Sequence, residues 1–265
     1  MKRSWLIGGG VVVVVLVGLA ALALYNYVLG PTLAASGPIT AIPVVVATKT
    51  PAPAGEATTA PEATQETAAP ADTAAPEATE ASAPIDGTLV FNIDQSQSEV
   101  RFIWSEVLSG NPTTVVGTSN QVAGQIAVNP SDLSTAQVGV IQVNARTLET
   151  DRSQRNNAIR NRILHTDTYE FITFTPTEVR GLSGSAAPGD SFTFQLVGDL
   201  TIQDVTQQVV FDVTATADSG TQISGSATTT VQRSDYGLQI PSVPQVADVS
   251  EEVTLELDFV AVPVS

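Results

Sequence analysis

The folded part of this 265-residue chain is predicted to be all-β, an eight-stranded antiparallel barrel with one short helix. Three observations predict it. Apolar and polar residues alternate over long runs, clusters of turn formers separate those runs, and helical periodicity is confined to one segment. About eight such runs follow Ile85, a number that suits a closed barrel without exposed sheet edges.

Two different regions precede the barrel. Residues 1–30 read as a transmembrane signal anchor: after Lys2 and Arg3 no charge appears until Lys49, and Trp5–Leu29 is an uncharged, mainly apolar run. Those 25 residues are enough to cross a hydrocarbon core of ~30 Å as a helix. Tyr25 and Tyr27 stand near the far end, where amphipathic rings favour the interface. The positive-inside rule then places the rest of the chain outside the cytoplasm, with residues 85–265 extracytoplasmic on a single-pass anchor. The alternative is secretion after cleavage near "TLAAS" (Thr32–Ser36). Residues 31–84 are rich in Ala, Pro, Thr and Glu, and "APEAT" occurs at Ala60–Thr64 and Ala75–Thr79. Apart from "IPVVV" this stretch has too little apolar bulk to offset chain entropy, so a disordered linker or stalk is expected. Extended, it would reach roughly 150 Å. Its Thr and Pro content suits O-glycosylation.

Within residues 85–265 the strands declare their faces. Val100, Phe102 and Trp104 share one side of "EVRFIWSEV". Phe192, Phe194, Leu196, Leu200 and Ile202 share one side of "SFTFQLVGDLTI", with Thr193, Gln195, Asp199 and Thr201 opposite. Val209, Phe211 and Val213 align in "VVFDVTA", and Val253, Leu255, Leu257 and Phe259 in "EVTLELDFVAV". Alternation of this kind gives each strand one dry and one wet face. Turns are expected at Ala187–Asp190 and Ala217–Gly220, and a loop at Ile240–Glu252.

The pattern breaks at "RTLETDRSQRNNAIRNR" (Arg146–Arg162). It holds five of the nine arginines of a chain whose net charge is −16. Asp151 followed by Gln154 is a capping arrangement, and Ile159 and Ile163 fall on one stripe of the helix it would start. Two isoleucines make a thin apolar face, suited to resting on a barrel end. Two readings of the arginines stand: ion pairs with carboxylates such as Glu149, Asp151 and Asp167, or a lid presenting Arg152, Arg155, Arg160 and Arg162 to a ligand headgroup.

Several chemistries lack their residues. Without cysteine there is no disulfide, thiol nucleophile or lipoprotein acylation site. The acidic balance argues against nucleic acid. His165, the single histidine, has Asp167 nearby but no glycine-framed serine to serve. No second histidine, thiol or calcium-loop spacing supports a metal. Neither an enzyme nor a metal or cofactor dependence is expected.

From about Leu89 to Phe259 the chain resembles the YceI-like polyisoprenoid-binding family. The carrying segments are "FNIDQSQSEVRF", "VVGTSNQVAGQI" (Val115–Ile126), "TLETDRSQRNNAIRNRILHTDTYEFITF" (Thr147–Phe174), "GDLTIQDVTQQVVFDV" (Gly198–Val213) and "RSDYGLQIP" (Arg233–Pro241). The resemblance implies an elongated, lipocalin-like barrel around a long isoprenoid chain, such as an isoprenoid quinone or polyprenyl compound. Two positions depart from the family pattern: Glu106 stands where many members carry histidine, and "TSN" follows Gly117 where many carry an aromatic residue. The anchor and stalk are additions to the usual small exported form.

The expected function is therefore lipid binding, with the chain enclosed by Phe102, Trp104, Phe174, Phe192, Phe194, Phe211 and Phe259. A long tube of ~35 Å suits an extended hydrocarbon. The alternative is a displayed protein or glycan interaction module with a solid core. Oligomeric state is left open.

Overall fold

The computed structural model describes residues 33–44 and 87–264. The anchor of residues 1–30 and the linker beyond residue 44 lie outside them. Among the described residues no helix is long and apolar enough to cross a membrane.

Thirteen strands form one sheet: β1 (Leu89–Ile93), β2 (Glu99–Leu108), β3 (Asn111–Ser119), β4 (Val122–Ala123), β5 (Gln125–Asn129), β6 (Asp132–Val138), β7 (Ile141–Asn144), β8 (Phe171–Arg180), β9 (Ser191–Ile202), β10 (Val205–Ser219), β11 (Gln222–Gln232), β12 (Val246–Ala247) and β13 (Glu252–Pro263). They fall into eight lines, which reconciles them with the expected eight. β1 continues into β2 across a turn held by Asp94, whose carboxylate accepts from Ser96 and Gln97. The facing line is β3, β4 and β5, paired from Leu108↔Asn111 down to Leu89↔Val128. β6 with β7, and β12 with β13, make two further interrupted lines. β8 to β11 are uninterrupted between their turns, and β13 returns to pair with β1 and β2. All pairings are antiparallel, and the pairing circuit closes.

The circuit has one weak seam. β6 pairs with β5 alone, and beyond Phe174 β8 pairs only with β9. The 181–190 loop crosses this seam: Leu133 N–H donates to Gly184 O and Ala186 N–H to Pro130 O, each at 2.8 Å. The expected turn at Ala187–Asp190 lies in this loop, closed by Asp190 N–H on Ala187 O. The β10–β11 turn falls at Gly220, one end of the expected Ala217–Gly220 span. In the expected loop Ile240–Glu252, two residues instead form β12, because Val246 and Ala247 pair with Leu108 and Val107.

The helix α1 (Ser153–Ala158) runs straight into a π-helical turn, Ile159–Ile163, closed by Leu164 N–H on Ile159 O. The expected cap at Asp151 does not form. Arg152 holds the N-cap position with no side-chain bond, and Asp151 pairs with Arg155 four residues on. Asn156 does the local work, accepting from the Thr150 amide and hydroxyl at 2.7 Å. Six residues of Ser, Gln, Arg, Asn and Ala are too short to be stable alone. The element holds because Ile159, Ile163 and Leu164 bury into the core of the barrel.

The expected stalk begins differently from its composition. Residues 33–44 lie along the outside of the barrel, with Ile39 only 9 % exposed. Leu33 N–H donates to Asp167, and the Ser36 amide and hydroxyl donate to Glu170. Arg146 donates to Ala34 O, Gln95 to Ile39 O, and Val44 N–H to Gln125. Ile39 and Val44 thus have a wall to rest on, while Ile42 stays exposed.

Candidate functional site: a two-chambered apolar interior

Three inward aromatic rings lie over glycines of the neighbouring strand. Phe102 faces Gly117 and Phe259 faces Gly225 in register. A Cβ added at Gly117 would sit 2.0 Å from the Phe102 ring, and at Gly225 2.8 Å from the Phe259 ring. The Phe174 ring covers Gly198 in the same way, at 2.7 Å. Glycine inside a strand marks a close approach of this kind. A ring seated on glycine lies along the wall instead of projecting across the axis. Phe102 also stacks on Trp104 at 4.8 Å, and Phe174 meets Phe211 edge to face at 4.9 Å.

The interior accordingly keeps two chambers. One, of about 190 Å³, lies against α1 and its π-turn. The other, of about 200 Å³, lies toward the seam and the far-end turns. Each greatly exceeds the ~10–15 Å³ that one water molecule needs. Both are almost wholly apolar in lining. They meet at Ile141, Leu196, Ala227 and Leu257, which line both. A solid core, as the interaction-module reading required, is not what these strands enclose.

All seven aromatic residues singled out from sequence line this space. Phe102, Trp104, Phe174 and Phe211 face the helix-side chamber, and Phe192, Phe194 and Phe259 the far one. Ile159 and Ile163, expected to rest on a barrel end, close the first chamber together with Leu164, which sequence reasoning missed. Of the four residues between the chambers, it placed Leu196 and Leu257 on dry faces and missed Ile141 and Ala227. It also missed the seam, where Leu133, Val138, Val179 and Leu182 line the second chamber. The signal for the aromatic seats was available as isolated glycines within strand runs.

The headgroup candidates lie elsewhere. Arg152, Arg155, Arg160 and Arg162 line neither chamber. Arg155 donates to Glu106 at 2.7 Å and also pairs with Asp151. Arg160 donates to Leu148 O and pairs with Glu149 at 3.4 Å. Arg152 is the exposed one, 3.6 Å from Asp151. The arginines that do border the first chamber are Arg101, bonded to Glu99, Glu256 and Asp258, and Arg233, bonded to Glu251, Leu238 O and Ser250 O. Carboxylates hold these guanidinium groups because a buried charge needs a partner.

Tyr236 borders the first chamber, and its buried hydroxyl has no hydrogen-bond partner among the described residues. Burial pushes its phenol up to about 12, with the Asp235 charge adding to the effect. His165 occupies a left-handed turn position (φ 47°), its carbonyl accepting from Thr168 and Tyr169. Among the described residues no three of His, Asp and Glu cluster to hold a metal ion.

Solved structures share this fold. The polyisoprenoid-binding domain from Saccharophagus degradans implicated in plant cell wall breakdown is 15 % identical, with a TM-score of 0.52 over 66 % of this chain and 99 % of its own. BcnA of Burkholderia cenocepacia is 17 % identical, with a TM-score of 0.50 over 63 % of this chain and 98 % of its own. No curated protein is similar enough to count as a match. The YceI-like domain model matches residues 91–261, well over half of the sequence and nearly all of the barrel. The chain belongs to the YceI-like domain family.

Proposed function

We propose that this protein is a membrane-tethered, extracytoplasmic binding protein for a long isoprenoid lipid, either an isoprenoid quinone or a polyprenyl compound, and that it does no chemistry on it. The observation that carries the reading is the pair of chambers, apolar, sharing four lining residues, and flanked by rings seated on glycines. The similarity to a polyisoprenoid-binding domain supports the same ligand class. Burial is worth ~0.8 kcal/mol per methylene, so each five-carbon unit contributes up to roughly 4 kcal/mol. The tail supplies the affinity.

The lining offers no free charge, so a neutral head is favoured over a phosphate inside the barrel. Arg152, Arg155 and Arg160 then act mainly by fixing the helix through Asp151, Glu106 and Glu149. The test is organic extraction of the full chain, purified from membranes in mild detergent, followed by mass spectrometry. A stoichiometric isoprenoid is expected. A washed, stable protein holding none, and binding none when offered a quinone or polyprenol, contradicts the proposal.

A further inference from the structure

Residues 33–44 run along the barrel, and their first contacts are at the helix end. Leu33 N–H donates to Asp167 at 3.0 Å, and Arg146 donates to Ala34 O at 3.1 Å. The Ser36 amide and hydroxyl each donate to Glu170 at 2.7 Å, while Arg146 pairs with the same carboxylate at 2.9 Å. From there the strand of chain passes Gln95 and ends beside Gly139 and Gln125, midway along the barrel. It is a strap with its near end clasped beside α1.

The apolar stretch Trp5–Leu29 stops four residues before Leu33. Four residues span at most roughly 14 Å. A chain anchored through that stretch therefore has its barrel held close to the bilayer, by the end that carries Asp167 and Glu170. The long Ala/Pro/Thr/Glu-rich stretch follows the strap, between Val44 and Gly87, so it does not set the distance from membrane to barrel.

Charge points the same way. Residues 146–170 carry five arginines against four carboxylates, in a chain whose net charge is −16. An acidic surface is repelled by anionic lipid headgroups, and a local excess of arginine is tolerated or attracted. Arg152, at the start of α1, leaves 55 % of its side chain exposed. Arg146, Arg155 and Arg160 are largely buried on Glu170, Glu106, Asp151 and Glu149, so Arg152 is the exposed cation among them on the face that the strap brings to the membrane.

We propose that the face made by α1, its π-turn and the 165–170 turn lies against the outer surface of the bilayer in which the chain itself is anchored, so that the helix-side chamber loads from that bilayer. This rests on the tethering part of the function proposed above. Glu170 supports the clasp: burial pushes its carboxyl up, but the bonds from Ser36, then Asn144, and the Arg146 charge outweigh this and hold it below the usual carboxylate range.

The chain has no cysteine, so single labels are simple to place. The full chain carrying Ser153→Cys on α1, or Ser219→Cys at the far-end turn, is labelled with an environment-sensitive fluorophore. Each is reconstituted in phosphatidylcholine vesicles containing phosphatidylglycerol and headgroup-spin-labelled lipid. The Ser153 label should be quenched several-fold more than the Ser219 label, and adding Glu170→Ala should abolish most of that difference. Equal quenching of both labels in protein that floats with vesicles overturns the orientation and leaves the tether standing. An unchanged difference in the Glu170→Ala chain overturns the clasp as its cause. Failure to float with the vesicles removes the tether, and the orientation with it.

Discussion

The Glu106 carboxylate on β2 accepts from the Arg155 guanidinium on α1 at 2.7 Å, and both side chains are shielded from water. Trp104 donates to the other Glu106 oxygen at 3.3 Å, which ties the pair to the aromatic wall. One ion pair thus fastens the short helix over the first chamber.

Removing one partner of a buried pair leaves the other uncompensated. Glu106→Gln is expected to cost about 3 kcal/mol, the lower end of the usual range because Asp151 still holds Arg155. Urea denaturation measures it. Arg155→Glu should release the helix and weaken neutral and phosphorylated isoprenoids alike. A loss confined to the phosphate would restore Arg155 to the headgroup.

Gly117→Ala places a methyl group where the Phe102 ring now sits. The ring must swing away from the wall, into the chamber. Overpacking of this kind costs ~1–3 kcal/mol. Bound lipid should fall in the same variant, whereas Gly110→Ala, with nothing near its Cβ, should leave binding intact at the cost of its own turn.

Tyr236 sets an alkaline limit. Its phenol is pushed up to about 12 in the folded protein, against ~10 in an unfolded chain. The folded state holds this proton more tightly, so its contribution is complete below pH ~10 and lost as pH rises through the folded value. The loss is on the order of 2 kcal/mol. Tyr236→Phe should remove that slope without destabilising the protein at neutral pH, since the hydroxyl has no partner among the described residues. Stability curves from pH 7 to 12 show both.

Glu170 sets an acidic one. Its carboxyl is held below its ordinary value of 4.5 in the folded state, so its contribution is present above that value. It is lost as pH falls through the depressed one. The strap should therefore loosen in acid, read as faster proteolysis or hydrogen exchange at residues 33–44. Glu170→Ala should show the loosened behaviour already at neutral pH.

The sequence showed the dry faces of β2, β9, β10 and β13 because alternation survives in each of them. It did not show where lines break, since the turn at Asp94 and the gap at Gly124 interrupt strands within alternating runs. Six of the seven aromatic residues were legible by parity, and Phe174 was named without an alternating run to place it. The partners of the arginines were not, because Glu106 lies 49 residues from Arg155 in the chain. Residues 33–44 misled for a related reason. Ile39 and Val44 look isolated among Pro, Thr and Ala, and only the folded wall supplies what they pack on.

Ala227 offers the most direct test. It faces Leu257 across β11 and β13, between the two chambers, and is the smallest of the residues lining both. Ala227→Phe should close that passage and leave the first chamber open. Mass spectrometry of lipid carried by the full chain should then show long isoprenoids in the parent and only short ones, or a sharply reduced yield, in the variant. The same long chains at the same yield in a well-folded Ala227→Phe protein would contradict a tail threaded through both chambers.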